Sequence, residues 1–65
     1  IKKNTQRILT QAKEIYNYGE IAIKNGLSEQ TIYQYNKDYV TNYPNFLTAL
    51  KLANFLNIDI TEFIK

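Results

Sequence analysis

Four polar side chains follow one another at helical spacing in the middle of the chain: Gln30, Tyr33, Gln34 and Lys37. At about 100° per residue they share one helix face, opposite Ile32 and Tyr35. A glutamine amide both donates and accepts hydrogen bonds, a tyrosine adds a ring and a hydroxyl, and an ammonium donates and carries charge. Such a face suits recognition of a polar surface. The alternative interpretation is an ordinary solvated face.

Composition argues against catalysis. The chain has 65 residues, and a domain of this size buries only about 60% of its unfolded surface, which leaves little room for an enclosed pocket. It has no cysteine and no histidine, and so lacks thiol chemistry, the usual general base and the commonest metal ligand. We expect one domain over residues 1–65 that is not an enzyme, with no cofactor, no metal and no small-molecule substrate.

Charge and hydropathy are compatible with a cytoplasmic protein. The formal net charge is +2, a balance that neither demands nor excludes nucleic acid as a partner. Lys2 and Lys3 are expected in a flexible arm at the start. No apolar run approaches the roughly 20 residues of a membrane span, and no signal-peptide pattern opens the chain. We therefore expect no membrane partner.

Capping signals divide the first half of the chain into three helices. Apolar residues at helical spacing predict the first helix from about Thr5 to Tyr16. Asn17, with Glu20 three residues later, forms a capping-box pattern for the second helix, which should end at Gly26. Ser28 should then cap a third helix over residues 28–36.

The second half predicts two further helices after a polar loop that Pro44 closes. Asn45 should cap the fourth helix, and Asp59 with Glu62 resembles a capping box for a fifth. The predicted buried face of the fourth helix comprises Phe46, Ala49, Leu50, Ala53 and Leu56. Nothing indicates a strand, and the expected fold class is all-α.

The second and third helices together form a helix-turn-helix pattern over about residues 18–37. It needs a small residue where the helices cross, a glycine at the bend, an apolar plug in the turn and two anchors for the third helix. Those positions hold Ala22, Gly26, Leu27, Ile32 and Tyr35.

The stretches EIAIKNGLSEQTIYQY and PNFLTALKLANFLNIDITEFI resemble the phage-repressor family, the Cro and lambda-repressor-like group. The resemblance runs from about Ile8 to Ile64. It implies a five-helix lambda-repressor-like domain that binds double-stranded operator DNA, commonly as a dimer. The implied function is a transcriptional regulator, a repressor, of phage or mobile-element type. Asn25 departs from the family pattern, since its helix-two position is usually apolar.

Within this motif the outward face of the third helix is the one that enters the major groove. Gln30 and Gln34 are the best candidates for base contacts, because a glutamine amide matches the N6 and N7 edge of adenine. Tyr33 fits either a thymine methyl or the DNA backbone. Glu29 either accepts from a cytosine amino group or stabilises the positive end of its own helix.

Six residues are candidates for contacts to the DNA backbone: Tyr18, Ser28, Asn36, Lys37, Thr41 and Asn42. Ser28 is mainly a cap, and Tyr18 has packing near Ile21 as its alternative. Tyr39 and Tyr43 in the loop either join this set or pack against the domain.

The fourth helix has more apolar surface than one core face needs. Leu52 and Phe55 lie towards the side opposite Leu50, and with Phe63 they form a candidate homodimer surface. The alternative is that the first and fifth helices cover them. A two-fold dimer would place two recognition helices about 34 Å apart.

A second function class stays open. The modest net charge, Glu29, Asp38 and the surplus apolar residues also fit a protein-interaction module on a helix-turn-helix scaffold. Such a module would be an antirepressor or a partner of another regulator.

Overall fold

The structure is a computed structural model and describes residues 1–38 and 41–65. Within these ranges every regular element is a helix, and the all-α prediction is confirmed. The elements are α1 (Lys2–Ala12), α2 (Tyr18–Lys24), α3 (Glu29–Tyr35), α4 (Phe46–Leu56) and a short 3-10 helix (Ile60–Phe63). The predicted fifth helix is therefore a single 3-10 turn, and the described chain has four α-helices.

The predicted caps of the three inner helices are confirmed. Asn17, Ser28 and Asn45 each accept a hydrogen bond from the backbone amide three residues later. At α2 the box is complete, because Glu20 Oε1 also accepts from the Asn17 amide at 3.3 Å. These helices begin where the sequence predicts because each cap satisfies amides that the helix itself leaves unpaired.

The first helix begins and ends earlier than predicted. It starts at Lys2, so this lysine belongs to a helix and not to a flexible arm. After Ala12 the chain leaves the helix through turns, with the Tyr16 amide bonded to the Ala12 carbonyl at 2.9 Å. The extended backbone that Asn17 needs as a cap (φ −85°, ψ 164°) prevents the helix from continuing to Tyr16.

The prediction of a capping box at Asp59 and Glu62 is right for Asp59 and wrong for Glu62. Asp59 Oδ1 accepts from the Thr61 amide at 2.9 Å and caps the 3-10 helix. Glu62 instead forms ion pairs with Arg7 at 3.5 Å and with Lys65 at 2.6 Å. Its carboxylate therefore ties the chain's end to α1.

The buried face of α4 is rotated relative to the prediction. Ala49, Leu52 and Ala53 are buried, whereas Phe46 is 72% exposed. The 3-10 helix contacts both α4 and α1, and its Phe63 joins Leu52 in the core. Packing from this last turn thus selects which apolar side of α4 faces inward.

The predicted dimer surface is consequently wrong for two of its three residues. Leu52 is 0% and Phe63 1% exposed, so both are core residues of one chain. Phe55 is half-buried, with its ring centroid 4.8 Å from that of Tyr16. The structure therefore agrees with the alternative interpretation, in which other parts of the same chain cover these residues.

A single core joins the helices. Its largest fully buried apolar side chains are Leu9, Ile21, Ile32, Leu52 and Phe63. Burying each such side chain stabilises the fold by roughly 1.5–3 kcal/mol. Every buried side-chain nitrogen or oxygen in the described ranges has a hydrogen-bond partner.

Candidate functional site

The turn between α2 and α3 is closed by a double hydrogen bond. Gly26 has φ 68°, the left-handed conformation that glycine adopts without steric cost. The Leu27 amide donates to the Ala22 carbonyl at 2.8 Å, and the Gly26 amide to the Ile23 carbonyl at 3.3 Å. This is the Schellman arrangement, which satisfies the last carbonyls of a helix. Ala22 is 2% exposed beside this turn, and Leu27 packs against the core.

Asn25, the residue that departs from the family pattern, is buried but paired. It is 5% exposed, and its Nδ2 donates to the Ile21 carbonyl at 2.7 Å. A buried amide is costly only when it lacks a hydrogen bond, so this bond explains how a polar residue fits there. Ile23, on the other side of α2, is 80% exposed.

The polar face of α3 is accessible and firmly supported. Ile32 and Tyr35 are buried behind it, whereas Gln30 and Tyr33 are exposed and Gln34 is half-buried. The structure therefore brings three of the four candidate base-contact residues together on one surface. Lys37, just beyond the end of α3, is also exposed.

Tyr18 lies beneath this surface and not on it. It is 5% exposed, and its ring meets that of Tyr33 edge-on with centroids 4.9 Å apart. Its hydroxyl accepts a hydrogen bond from Asn36 Nδ2 at 2.9 Å. Burial, followed by the nearby Tyr33, raises the pKa of Tyr18 above its ordinary value. The structure thus favours the packing interpretation for Tyr18, which supports Tyr33 from below.

Lys13 is a site residue that sequence reasoning missed. Its Nζ lies 4.9 Å from the centroid of the Tyr18 ring, in the range of a cation–π contact. A sequence pattern could have indicated it: Lys13 lies five residues before Tyr18, the first residue of α2. The turn between α1 and α2 can place the lysine ammonium over the tyrosine ring. The contact places a positive charge close to the Tyr18–Tyr33 pair.

Lys2 ties α1 to the far end of α3. Its Nζ donates to the Gln34 carbonyl and to the Asn42 carbonyl, both at 2.8 Å. Asn42 Nδ2 in turn donates to Gln34 Oε1 at 3.0 Å. Burial lowers the pKa of Lys2, against an opposing contribution from Asp38. A residue expected in a flexible arm thus holds both the end of α3 and the loop that follows it.

Gln6, one turn further along α1, makes a second tie. Its Nε2 donates to Asp38 Oδ1 at 2.7 Å and to the Asn36 carbonyl at 3.4 Å. Together with Lys2 it holds the segment after α3 from one face of α1. Neither tie could be predicted from local sequence, because each joins residues about thirty or more positions apart.

Several of the candidate backbone contacts make hydrogen bonds within the chain. Ser28 accepts from the Thr31 amide at 3.1 Å, so it acts as a cap. Asn36 and Asn42 are likewise bonded within the chain. Lys37 and Thr41 lie exposed on the surface. Tyr39 lies outside the described residues, and Tyr43 is 49% exposed.

Glu29 lies between the starts of two helices. A Cβ built on Gly19, in the first turn of α2, would be 3.5 Å from Glu29 Oε1. Glu29 is also in the first turn of α3. A carboxylate at this place is favoured by both helix dipoles. The position fits the second of the two interpretations given to this residue.

No protein-family model, curated protein or solved structure matches the chain. Over residues 1–38 and 41–65, no helix has the length and apolar character that crossing a bilayer requires. The same ranges contain no group of three His, Cys, Asp or Glu side chains able to hold a metal ion. Function is therefore inferred from the α3 face itself.

Proposed function

We propose that the protein is a sequence-specific DNA-binding regulator of transcription, a repressor of phage or mobile-element type. In this proposal the fold is of the lambda-repressor type, with its last helix reduced to a 3-10 turn. The observation that carries the proposal is the exposed face of α3. It presents two amides and a phenol from a helix that a closed turn and two buried anchors hold in place.

The side chains of this face match the edges of bases. Gln30 and Gln34 each offer an amide that can pair with adenine N6 and N7 in the major groove. The ring of Tyr33 packs on the Tyr18 ring, which reduces its freedom before binding. Since preorganised groups lose less entropy on association, this packing favours a defined contact.

The cations near the face suit a limited grip on phosphates. Lys37 lies at one end of α3, and Lys13 lies over Tyr18. Thr41 adds an exposed hydroxyl. Each phosphate neutralised on duplex DNA contributes about 0.9 to the slope of log K against log salt. We therefore expect a shallow salt dependence and an affinity that relies more than usual on base contacts.

One observation favours the rival function, a protein-interaction module on the same scaffold. The Glu29 carboxylate lies at the starts of α2 and α3, where a DNA phosphate would otherwise meet backbone amides. A negative charge there repels phosphate. The rival partner would be another regulator, with the α3 face as the contact surface.

The proposal is tested by selecting bound sequences from a random duplex library, since such a selection identifies the operator directly. The selected duplex and a scrambled one are then compared by fluorescence anisotropy over a range of salt concentrations. Gln34→Ala should lower the affinity for the selected duplex by about 1–3 kcal/mol and leave the scrambled duplex almost unaffected.

Asn42→Ala is the matched control. It removes the hydrogen bond to Gln34 Oε1 but keeps the Gln34 amide, so it should preserve most of the discrimination. Lys37→Ala should weaken both duplexes alike and reduce the salt slope by about one. Failure to enrich any sequence, with no binding even at low salt, would reject DNA as the partner and favour the rival.

A further inference from the structure

The turn between α2 and α3 contains the only asparagine–glycine pair in the sequence. Asn25 precedes Gly26, whereas every other asparagine precedes a residue that carries a side chain. Asparagine is a thermolabile residue, and its side-chain amide is lost most readily when glycine follows. Glycine has no side chain to hinder its backbone nitrogen, and its flexible backbone lets that nitrogen reach the asparagine side chain. Asn25 is therefore the amide of this chain that is most susceptible to deamidation.

The reaction at this pair needs only water. The Gly26 nitrogen attacks Cγ of Asn25, and Nδ2 leaves as ammonia after taking up the proton that the Gly26 nitrogen loses. One water molecule then opens the resulting five-membered succinimide ring at either of its two carbonyls. Opening at one carbonyl gives aspartate, and opening at the other gives isoaspartate, in which the main chain runs through the side-chain carbon. The balance is one amide and one water converted into one carboxylic acid and one ammonia.

The folded turn holds both reacting groups away from this course. Asn25 Nδ2 donates to the Ile21 carbonyl at 2.7 Å, so the side chain is directed back along α2. The Gly26 amide, which would have to attack, donates to the Ile23 carbonyl at 3.3 Å. Asn25 is only 5% exposed, which limits access of water and of the base that removes the proton. Ring closure therefore requires these bonds to break first.

We propose that Asn25 is a deamidation site that the fold keeps inactive and that opening of the α2–α3 turn exposes. The rate under native conditions is then the rate in the open chain multiplied by the fraction of molecules in which the turn is open. The stability of the domain thus sets the lifetime of this amide.

The products do not fit the native turn. A carboxylate at position 25 has no hydrogen to donate, so it would face the Ile21 carbonyl without a bond at a buried site. A buried charge without a partner is costly. Isoaspartate adds an atom to the main chain between Ala22 and Leu27, whose backbone hydrogen bond at 2.8 Å closes the turn. Deamidation therefore converts a reversible opening into a permanent loss of the native turn.

The experiment incubates the chain at mildly alkaline pH in a series of urea concentrations that spans the unfolding transition. Samples are digested with pepsin in acid, where ring closure is slow, and mass spectrometry locates each amide that has become a carboxyl. In the unfolded chain Asn25 should react before any other asparagine. The folded chain should react at least about a hundredfold more slowly, because a domain of ordinary stability spends well under about 1% of its time unfolded. Between these limits the rate should rise with the unfolded fraction measured by circular dichroism.

Gly26→Ala is the matched control for the chemistry, because it keeps Asn25 and adds only a Cβ to the attacking residue. It should slow the reaction of the unfolded chain at least about tenfold. Asn25→Ala is the control for the consequence, because it loses the bond to Ile21 without adding a charge. Asn25→Asp should unfold at a lower urea concentration than Asn25→Ala, or fail to fold.

Refolding of the wild type gives a measurement that needs no variant. After incubation in urea and dilution, the fraction that regains the native circular dichroism should fall in step with the fraction modified at Asn25. Equal rates in the folded and unfolded chains would overturn the proposal. So would earlier reaction at another asparagine, or modified chains that refold with the wild-type urea midpoint. The assay contains no DNA, and its result is independent of the proposed function.

Discussion

The two left-handed residues of the chain offer a quantitative test of how its turns are built. Gly26 has φ 68° and Asn57 has φ 58°. Replacing Gly26 by alanine forces a Cβ into the left-handed region, which costs about 1–2 kcal/mol. A Cβ at this position would meet no atom within 4 Å, so no steric clash adds to the cost. Alanine also lowers the conformational entropy of the unfolded chain, which stabilises the folded state by about 0.4–1 kcal/mol. We expect a net loss of about 1 kcal/mol.

Asn57 gives the reverse change at an equivalent turn. After α4 the Ile58 amide donates to the Ala53 carbonyl at 2.9 Å. The Leu27 amide makes the corresponding bond after α2, to the Ala22 carbonyl. Asparagine tolerates the left-handed conformation better than alanine does, but less well than glycine. Asn57→Gly should therefore be neutral or slightly stabilising, and Gly26→Asn should cost less than Gly26→Ala.

The assay is urea unfolding followed by circular dichroism, with thermal melting as a second measurement. For a domain of this size, 1 kcal/mol corresponds to a shift of about 4–8 °C in Tm. The expected order of stability is wild type, then Gly26→Asn, then Gly26→Ala. Wild-type stability in Gly26→Ala would show that φ at this position is negative in solution, and the account of the turn would be refuted.

Two further predictions concern the ties made by α1 and the end of the chain. Lys2→Ala removes both bonds from Lys2 Nζ to Gln34 and Asn42 and should destabilise the domain by about 1 kcal/mol. Lys3→Ala, an exposed neighbour, should have no effect in the same urea titration; equal losses would contradict the tie. The hydrogen bond from Lys65, with a smaller contribution from Arg7, lowers the pKa of Glu62 below its ordinary value. Since the folded pKa is depressed, this contribution to stability is fully present above the pKa of Glu62 in the unfolded chain and is lost as pH falls through the folded pKa. Glu62→Gln should flatten the decline in stability measured between about pH 5 and 3, and an unchanged slope would exclude Glu62 as its source.

The sequence by itself determined the local features of this protein. The caps at Asn17, Ser28 and Asn45 and the bend at Gly26 each depend on groups within a few residues of one another. Their hydrogen bonds do not depend on contacts with distant parts of the chain, so short-range patterns suffice to predict them. The same holds for the outward face of α3, which helical spacing fixes once Ile32 and Tyr35 are taken as buried.

Tertiary packing decided the rest, because those contacts join distant parts of the chain. The sequence of α4 has apolar residues on several sides, and only packing in the folded core, including that against the 3-10 helix, shows that Leu52 is buried and Phe46 exposed. Asn36 and Tyr18, two candidate DNA contacts, instead bond to each other, and the Tyr18 ring packs against Tyr33 on α3. Lys2 reaches Gln34 across 32 positions. No local pattern encodes such pairings, since each depends on how the helices come together in space.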